Sequence, residues 1–342
     1  MQMRHPLALA LCLSLGWCGS AFAQTPTAAS WFEPQTVTLS SRYRFIENSA
    51  GDVTANQVQF KDVFRARFNV DRDRRFSINV GAGSGSSFTS SWDTTGIGSG
   101  NPSADLYVKQ LYASAAPVHG VELQVGGLYI NHGENTEVTS YDDDGYVMGE
   151  RVTLRRPSMA YFDEVSFTRA ALGSIAMPGV IRRVKLFGHQ NYWQAQVIKH
   201  VSDSVSASAD FTEVSGAETL RAAVAFHLPK GAPVSAVRIE QYRRVTIEPA
   251  SGFAVIAERP VTAHFRFQAG YATIDPSYGS LNGDRIQRGR RIFGTATIPL
   301  TPTVNVQLFA TRAFGNDFTI TNRTRFDAVV TYDVLAAVRR HQ

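Results

Sequence analysis

The sequence predicts an all-β fold, a transmembrane antiparallel up-and-down β-barrel of about sixteen strands, with about fourteen and eighteen as its bounds. Three observations predict it. Apolar and polar residues alternate with period two over runs longer than the strands of soluble sheets, no long apolar helical stretch follows the first residues, and short connections alternate with long polar ones.

The alternation is clearest over residues 58–70. Val58, Phe60, Phe64, Ala66, Phe68 and Val70 share one parity with Asp62, while Gln59, Lys61, Val63, Arg65, Arg67 and Asn69 share the other. Successive side chains of a strand point to opposite faces, so one face here is apolar and the other basic. A polar turn of Asp71, Arg72, Asp73 and Arg74 then leads to Phe76, Ile78, Val80 and Ala82, which alternate with Ser77, Asn79, Gly81 and Gly83. The pair reads as an antiparallel hairpin. Its arms suit a tilted strand crossing a bilayer better than the usual soluble strand of about five or six residues.

At the start of the chain Arg4 precedes an apolar run, 7–15, and the small-residue pattern Ala21, Phe22, Ala23. This is the form of a secretory signal peptide over residues 1–23. The run is too short to span a membrane as a helix, and bulky Trp17 before Cys18 disfavours a lipidation site. Cys12 and Cys18 are the only cysteines, and both fall in this leader. The mature chain is therefore expected to use no thiolate or disulfide chemistry. The formal net charge is +5, and arginine far outnumbers lysine, which favours fixed charge and fork-like contacts to anions.

After a short N-terminal segment, 24–34, strands are expected at 37–45, 58–70, 76–82, 105–116, 121–129, 161–171, 181–189 and 192–201. Further strands are expected at 205–211, 219–227, 237–240, 253–258, 263–271, 292–298, 304–310 and 326–334. The barrel thus occupies 35–334, and a short tail, 335–342, follows. At 105–116 the two faces are less clean, since Tyr107, Lys109 and Leu111 oppose Leu106, Val108 and Gln110. Short connections often carry proline (Pro117, Pro229, Pro260, Pro302), and the longest connection is 132–157. Closure suits lipid, where no strand edge can keep unpaired backbone groups. A soluble β-sandwich shares the alternation but has shorter strands and no reason for loop lengths to take turns.

Arg42, Arg44, Lys61, Arg65, Arg67, Arg221, Arg238 and Arg266 all fall on the face opposite the aromatic one. In a closed barrel these residues line a pore, because a packed apolar core would not accept so many charges. Acids of the same face are fewer (Asp71, Glu122, Asp210, Glu240, Asp327), so the wall potential is expected to be positive and to favour anions.

In this pattern the chain resembles the outer-membrane porins of Gram-negative bacteria, over nearly all of residues 35–334. The arginine-rich lumen looks a little like that of the alginate-export porins, and no subfamily is assigned. The resemblance implies a multi-pass β-barrel in the cell outer membrane, an ion-transporting channel and not an enzyme. In such porins the loop after the fifth strand folds into the channel and turns acids toward arginines on the wall. Carried over, that loop is 132–157, with Asp142, Asp143, Asp144, Glu150, Arg151, Arg155 and Arg156 at the constriction. One departure stands out: porins generally end on an aromatic residue, whereas here the final aromatic is Tyr332 and the chain runs on through Arg339 and Arg340.

The expected function is passive diffusion of small hydrophilic, chiefly anionic solutes, with outer-membrane lipids and lipopolysaccharide as surroundings. One alternative is a substrate-specific channel for acidic oligosaccharides. Another is a barrel hydrolase, for which His132 and His189 are the candidate bases and Ser87, Ser140 and Asn191 their candidate neighbours. No cofactor or metal is expected, since the acidic stretch around Asp143 lacks the bidentate Glu at the spacing of a calcium loop. The run Arg288, Gly289, Arg290, Arg291 suits lipopolysaccharide phosphates better than nucleic acid, which a secreted barrel does not routinely meet. A homotrimer would hide part of one apolar wall, and the sequence offers no obvious seam for it.

Overall fold

The structure is a computed structural model that describes residues 31–86, 91–142, 145–156, 161–173, 177–262, 264–277, 285–314 and 322–340. The expected leader, 1–23, lies outside the described residues. Among them one antiparallel sheet runs through β1 (Phe32–Glu47), β2 (Val53–Asn69), β3 (Phe76–Ser84), β4 (Asp93–Gly98), β5 (Leu106–Ala115) and β6 (Val121–Tyr129). It continues through β7 (Tyr146–Arg155), β8 (Glu164–Ala171), β9 (Tyr192–Ser202), β10 (Val205–Val214), β11 (Ala217–His227) and β12 (Ala236–Arg244). The last strands are β13 (Ala250–Thr262), β14 (Phe265–Ile274), β15 (Gly289–Thr301), β16 (Val304–Phe314) and β17 (Thr324–Asp333).

β17 pairs with β1, from Thr324 opposite Glu47 to Asp333 opposite Thr38, and the sheet closes into a barrel. The seventeen strands make sixteen wall positions because β3 and β4 share one. Along β2, Val63 faces Gly83 of β3, while Phe60 faces Asp93 of β4. The chain leaves the wall after β3 and returns to the same position as β4.

The number of wall positions agrees with the expected sixteen through a compensation. Residues 181–189, expected as a strand, instead form a helical turn, Val180–Arg183, continued by a tighter turn, Val184–Leu186. Ile181, Val184 and Phe187 recur every third residue, the spacing of a helical turn. Conversely, β7 lies within the stretch 132–157 expected as one connection. Its charges give it a loop-like composition, yet Val152 and Leu154 are exposed outside while Arg151 and Thr153 are buried inside, a strict period of two. The unclean faces of 105–116 have a local cause. Gly81 pairs with Gln110 but the next residue, Ala82, pairs with Val108, so Lys109 is one residue too many and forms a β-bulge.

Leu39, Ile78, Leu123, Phe211, Ile239 and Phe326 exemplify the large apolar side chains exposed on the outer face, as a wall in hydrocarbon requires. The described residues begin and end at the same end of the barrel. There Trp31, Phe32 and Phe68 cluster with ring centroids between 5.1 and 6.0 Å apart, and the wall begins at Phe32, earlier than residue 35. Beyond Tyr332 the chain forms a helix, Val334–Arg340, capped by Asp333, whose Oδ1 accepts the Ala336 N–H at 2.9 Å.

The terminal end carries tight connections such as 203–204 and 302–303, and the opposite, loop end carries 130–145, 172–191 and 275–288. The expected alternation of lengths is loose on both sides. At the terminal end 228–235 is long, and at the loop end β10 and β11 are joined by Ser215 and Gly216 alone. Their φ values of 51° and 85° are those of a type I′ hairpin turn. At the terminal-end turn between β2 and β3, the Phe76 and Arg75 N–H groups donate to Asp71 at 2.7 and 3.2 Å. These bonds, Phe76 first, hold the Asp71 carboxyl below its ordinary range.

Candidate functional site

Cross-strand register puts Arg42, Arg44, Lys61, Arg65, Arg67, Arg221, Arg238 and Arg266 on the inner face of the wall. Their surroundings differ. Arg42 and Arg44, both buried, reach Asp327 at 3.8 and 3.2 Å, and Arg325 of the same strand reaches it at 2.5 Å. Arg42 also donates to Gln59 Oε1. Arg221 is paired with Asp210 at 3.2 Å in full burial. Burial of such charges is tolerable only with a partner in place.

The cations of β2 are arranged otherwise. Arg65 stands with its guanidinium 4.8 Å from the centre of the Tyr129 ring and has no acidic partner among the described residues. Arg67 donates to the backbone oxygen of Arg74 at 3.0 Å and likewise lacks an acid. Trp92 lies between Arg42, at 4.0 Å, and Lys61, at 5.9 Å. Arg266 is exposed near the terminal end.

Residues 130–142, which follow β6, cross the interior and bind the opposite wall. The Asn131 Nδ2 group donates to Ser166 Oγ at 3.0 Å, Gln194 donates to the Asn131 carbonyl at 2.7 Å, and the Glu134 N–H donates to Ser208 Oγ at 2.7 Å. Gly133 has φ +61°, and a Cβ there would stand 2.7 Å from Ser208 Oγ, so the approach requires glycine. The main anchor is Glu240 of β12, fully buried. It accepts the Thr136 N–H and Thr136 Oγ1, both at 2.6 Å, and Thr139 Oγ1 at 2.7 Å. Charge-assisted bonds of this kind are the stronger ones. Arg238 and Arg285 add ion pairs to Glu134 and Glu137, at 3.5 and 3.3 Å.

Two apolar clusters complete the seat. Val138 of the crossing segment and Ile286 lie against Tyr242, Ile256, Ile274, Phe293 and Phe309 on the inner side of β12–β16. Ile130 and Tyr141 lie against Leu128, Val147, Leu172 and Tyr192. Much of the inner face on these sides is therefore packed, although a pore lined by charge was expected.

The expected constriction set divides accordingly. Asp142 is buried in the crossing segment, and its backbone oxygen accepts the Gly145 N–H at 2.9 Å. Asp143 and Asp144 lie outside the described residues. Glu150, Arg151 and Arg155 are not loop residues, because they belong to β7, and Arg156 follows it at the terminal end. Arg151 points inward and donates to Thr168 Oγ1 at 2.8 Å, whereas Glu150 points outward and pairs with Arg169 of β8 at 3.5 Å. Arg155 bridges Glu122 and Glu164 at 2.6 and 2.7 Å. Two acids that do meet cations, Glu134 with Arg238 of the wall and Glu137 with Arg285 ahead of β15, lay unremarked in the same expected loop. Arg325 was legible too, since it shares the parity of Asp327.

The candidate hydrolase residues do not assemble. Ser140 Oγ is buried without a hydrogen-bond partner, so no base polarises it. Asn191 is engaged with the Leu172 N–H and Ser215 Oγ, and Ser87 lies outside the described residues.

No protein-family model and no curated protein sequence matches this chain. Solved structures do. It superposes on Salmonella typhi OmpF, in a complex with daunomycin, with a TM-score of 0.57 at 11% identity, over 88% of this chain and 97% of that one. A variant of the Rhodobacter blastica porin gives a TM-score of 0.56 at 10% identity, over 88% and 99%. The fold is therefore that of the porins, and at such identity the likeness is one of architecture.

Glu240→Ala leaves the wall ladder intact but removes three bonds from the crossing segment, an anchoring loss of about 2–3 kcal/mol. The expected result is unchanged heat-resistant mobility on gels and a larger, noisier single-channel conductance in planar bilayers. Conductance equal to wild type would mean that the apolar clusters alone hold the segment.

Proposed function

We propose that this protein is an outer-membrane porin, a passive channel for small hydrophilic solutes with a preference for anions. The observation that carries the preference is the uneven pairing of inward charges. Asp327 serves Arg42, Arg44 and Arg325, Asp210 serves Arg221, Glu134 and Glu137 serve Arg238 and Arg285, and Glu240 is spent on Thr136 and Thr139. Arg65 and Arg67 keep their charge without an acid, on the β1–β3 side that the two apolar clusters leave free. A passage along that side carries a positive potential, and unpaired wall arginines favour anions by field rather than by any chemical step.

A second reading has its own observation. Trp92 and Tyr129 present aromatic faces beside Arg42, Lys61 and Arg65, an arrangement that suits a sugar ring bearing a carboxylate. That favours a substrate-specific channel for acidic oligosaccharides. A homotrimer also has a candidate seam. Glu150 and Arg169 pair on the outer face in the middle of β7 and β8, with Arg169 5.3 Å from the Trp193 ring. An arginine facing lipid at the midplane costs about 2–4 kcal/mol, which a neighbouring copy would relieve.

Three measurements test these readings. In planar bilayers across a KCl gradient, wild type should reverse on the chloride side, and Arg65→Ala with Arg67→Ala should lower the anion-to-cation permeability ratio roughly two-fold or more. An unchanged ratio would place the selectivity elsewhere. An acidic oligosaccharide should block the current at lower concentration than its neutral counterpart if the second reading holds, and equal block by both rejects it. Cysteine introduced at Val152 should cross-link between copies in membranes if β7 lies in the seam, and no cross-link there removes that seam.

A further inference from the structure

A cavity of about 950 Å³ opens on the outside of the barrel, at the loop end of the wall formed by β11–β16. Its floor is a row of cross-strand neighbours with outward side chains: Gln241, Phe253, Thr273 and Arg290. It is hollow because Ser251, Gly252 and Thr273 are small while Arg243, Phe253 and Phe314 stand up around them.

Two cations flank the hollow. Arg243 is the penultimate residue of β12 and Arg290 the second residue of β15, so both sit at the loop-end margin of the wall. Both are exposed, and neither has a hydrogen-bond or ion-pair partner among the described residues. The lining acid, Asp275, directs its Oδ1 to the N–H and Oγ of Ser277, at 2.9 and 2.7 Å. The cations are three strand spacings apart across the wall and two residues apart along it, about 16 Å between their backbones. Toward mid-wall the surface turns apolar, with Phe253 6.0 Å from Tyr271 and Ile292 beyond it.

An unpaired guanidinium on the lipid face is costly at depth and cheap at the interface, where anionic headgroups lie. Its planar fork fits a phosphate bidentately. Outward carboxylates do stand at this end of the wall, Glu213 opposite Glu218 across β10 and β11, so a second copy that brings them to these cations is the outcome the oligomer arm of the test separates. We propose that the groove binds a phosphorylated glycolipid of the surrounding leaflet. Its two phosphates rest on Arg243 and Arg290, its sugar hydroxyls face Ser251 and Thr273, and its acyl chains descend over Phe253 and Ile292. The assignment rests on the reading of the chain as an outer-membrane barrel with its loop end outward. Strand alternation parts the arginines of the run 288–291, turning Arg290 out to the groove while Arg291 is buried inside.

The test uses the refolded mature chain in detergent micelles, titrated with bis-phosphorylated lipid A and followed by native mass spectrometry. The expected result is a saturable adduct that Arg243→Ala with Arg290→Ala weakens about tenfold or more. Thr273→Phe, which fills the hollow and keeps both arginines, should weaken it as well, so the proposal stays testable if the double variant does not fold. Fully dephosphorylated lipid A should bind poorly, and inorganic phosphate alone should not displace the lipid. Equal binding by the double variant, equal binding of the dephosphorylated lipid, or displacement by inorganic phosphate would each overturn the site. So would lipid-free oligomers that the double variant dissociates, because the groove would then be a seam between copies. Bilayer recordings on the same preparations separate the two readings: loss of conductance with lipid binding intact counts against the channel alone.

Discussion

In hydrocarbon a backbone amide without a partner has no water to turn to, and that constraint organises the whole chain. It is met where β17 folds back on β1, with Arg44 opposite Asp327 and Leu39 opposite Tyr332 along the closing ladder. Once the wall is closed, the two-residue repeat of a strand leaves each side chain only two destinations, lipid or lumen. The outward aromatics and the inward arginines are consequences of that choice. The interruption between β3 and β4 is compatible with it because β2 finds a partner in each segment in turn.

The inner surface has a second constraint, the cost of leaving charge unpaired away from water. It is met unevenly. Asp327 gathers three guanidinium groups on one side of the barrel, and on another the segment 130–142 brings its own acids and hydroxyls to meet Arg238, Arg285 and Glu240. The same segment covers apolar wall with Val138 and Tyr141. Packing and pairing thus occupy much of the interior, and Arg65 and Arg67 of β2 take no acid among the described residues.

The closed wall was legible in the sequence because its strongest strands, β2 and β10 among them, expose one apolar and one polar face without interruption. Legibility failed where a local feature broke or imitated the period. The extra residue Lys109 shifts the faces of β5 midway, and only the pairing with β3 reveals the bulge. In β7 three charges hid a regular alternation inside a stretch that looked like loop. At 181–189 apolar residues were read with a period of two although Ile181, Val184 and Phe187 follow a period of three. The eight basic residues assigned inward needed only parity. Their sorting into paired and unpaired groups depends on Asp327, Glu134 and Glu240, which are distant in sequence, and no local pattern carries that information.

The two-residue link of Ser215 and Gly216 gives the rim of the barrel a low notch, which the five-residue connection 245–249 extends toward β13. A cup with a notched lip cannot be stoppered from above. A flat body laid across such a lip leaves a gap at its low side.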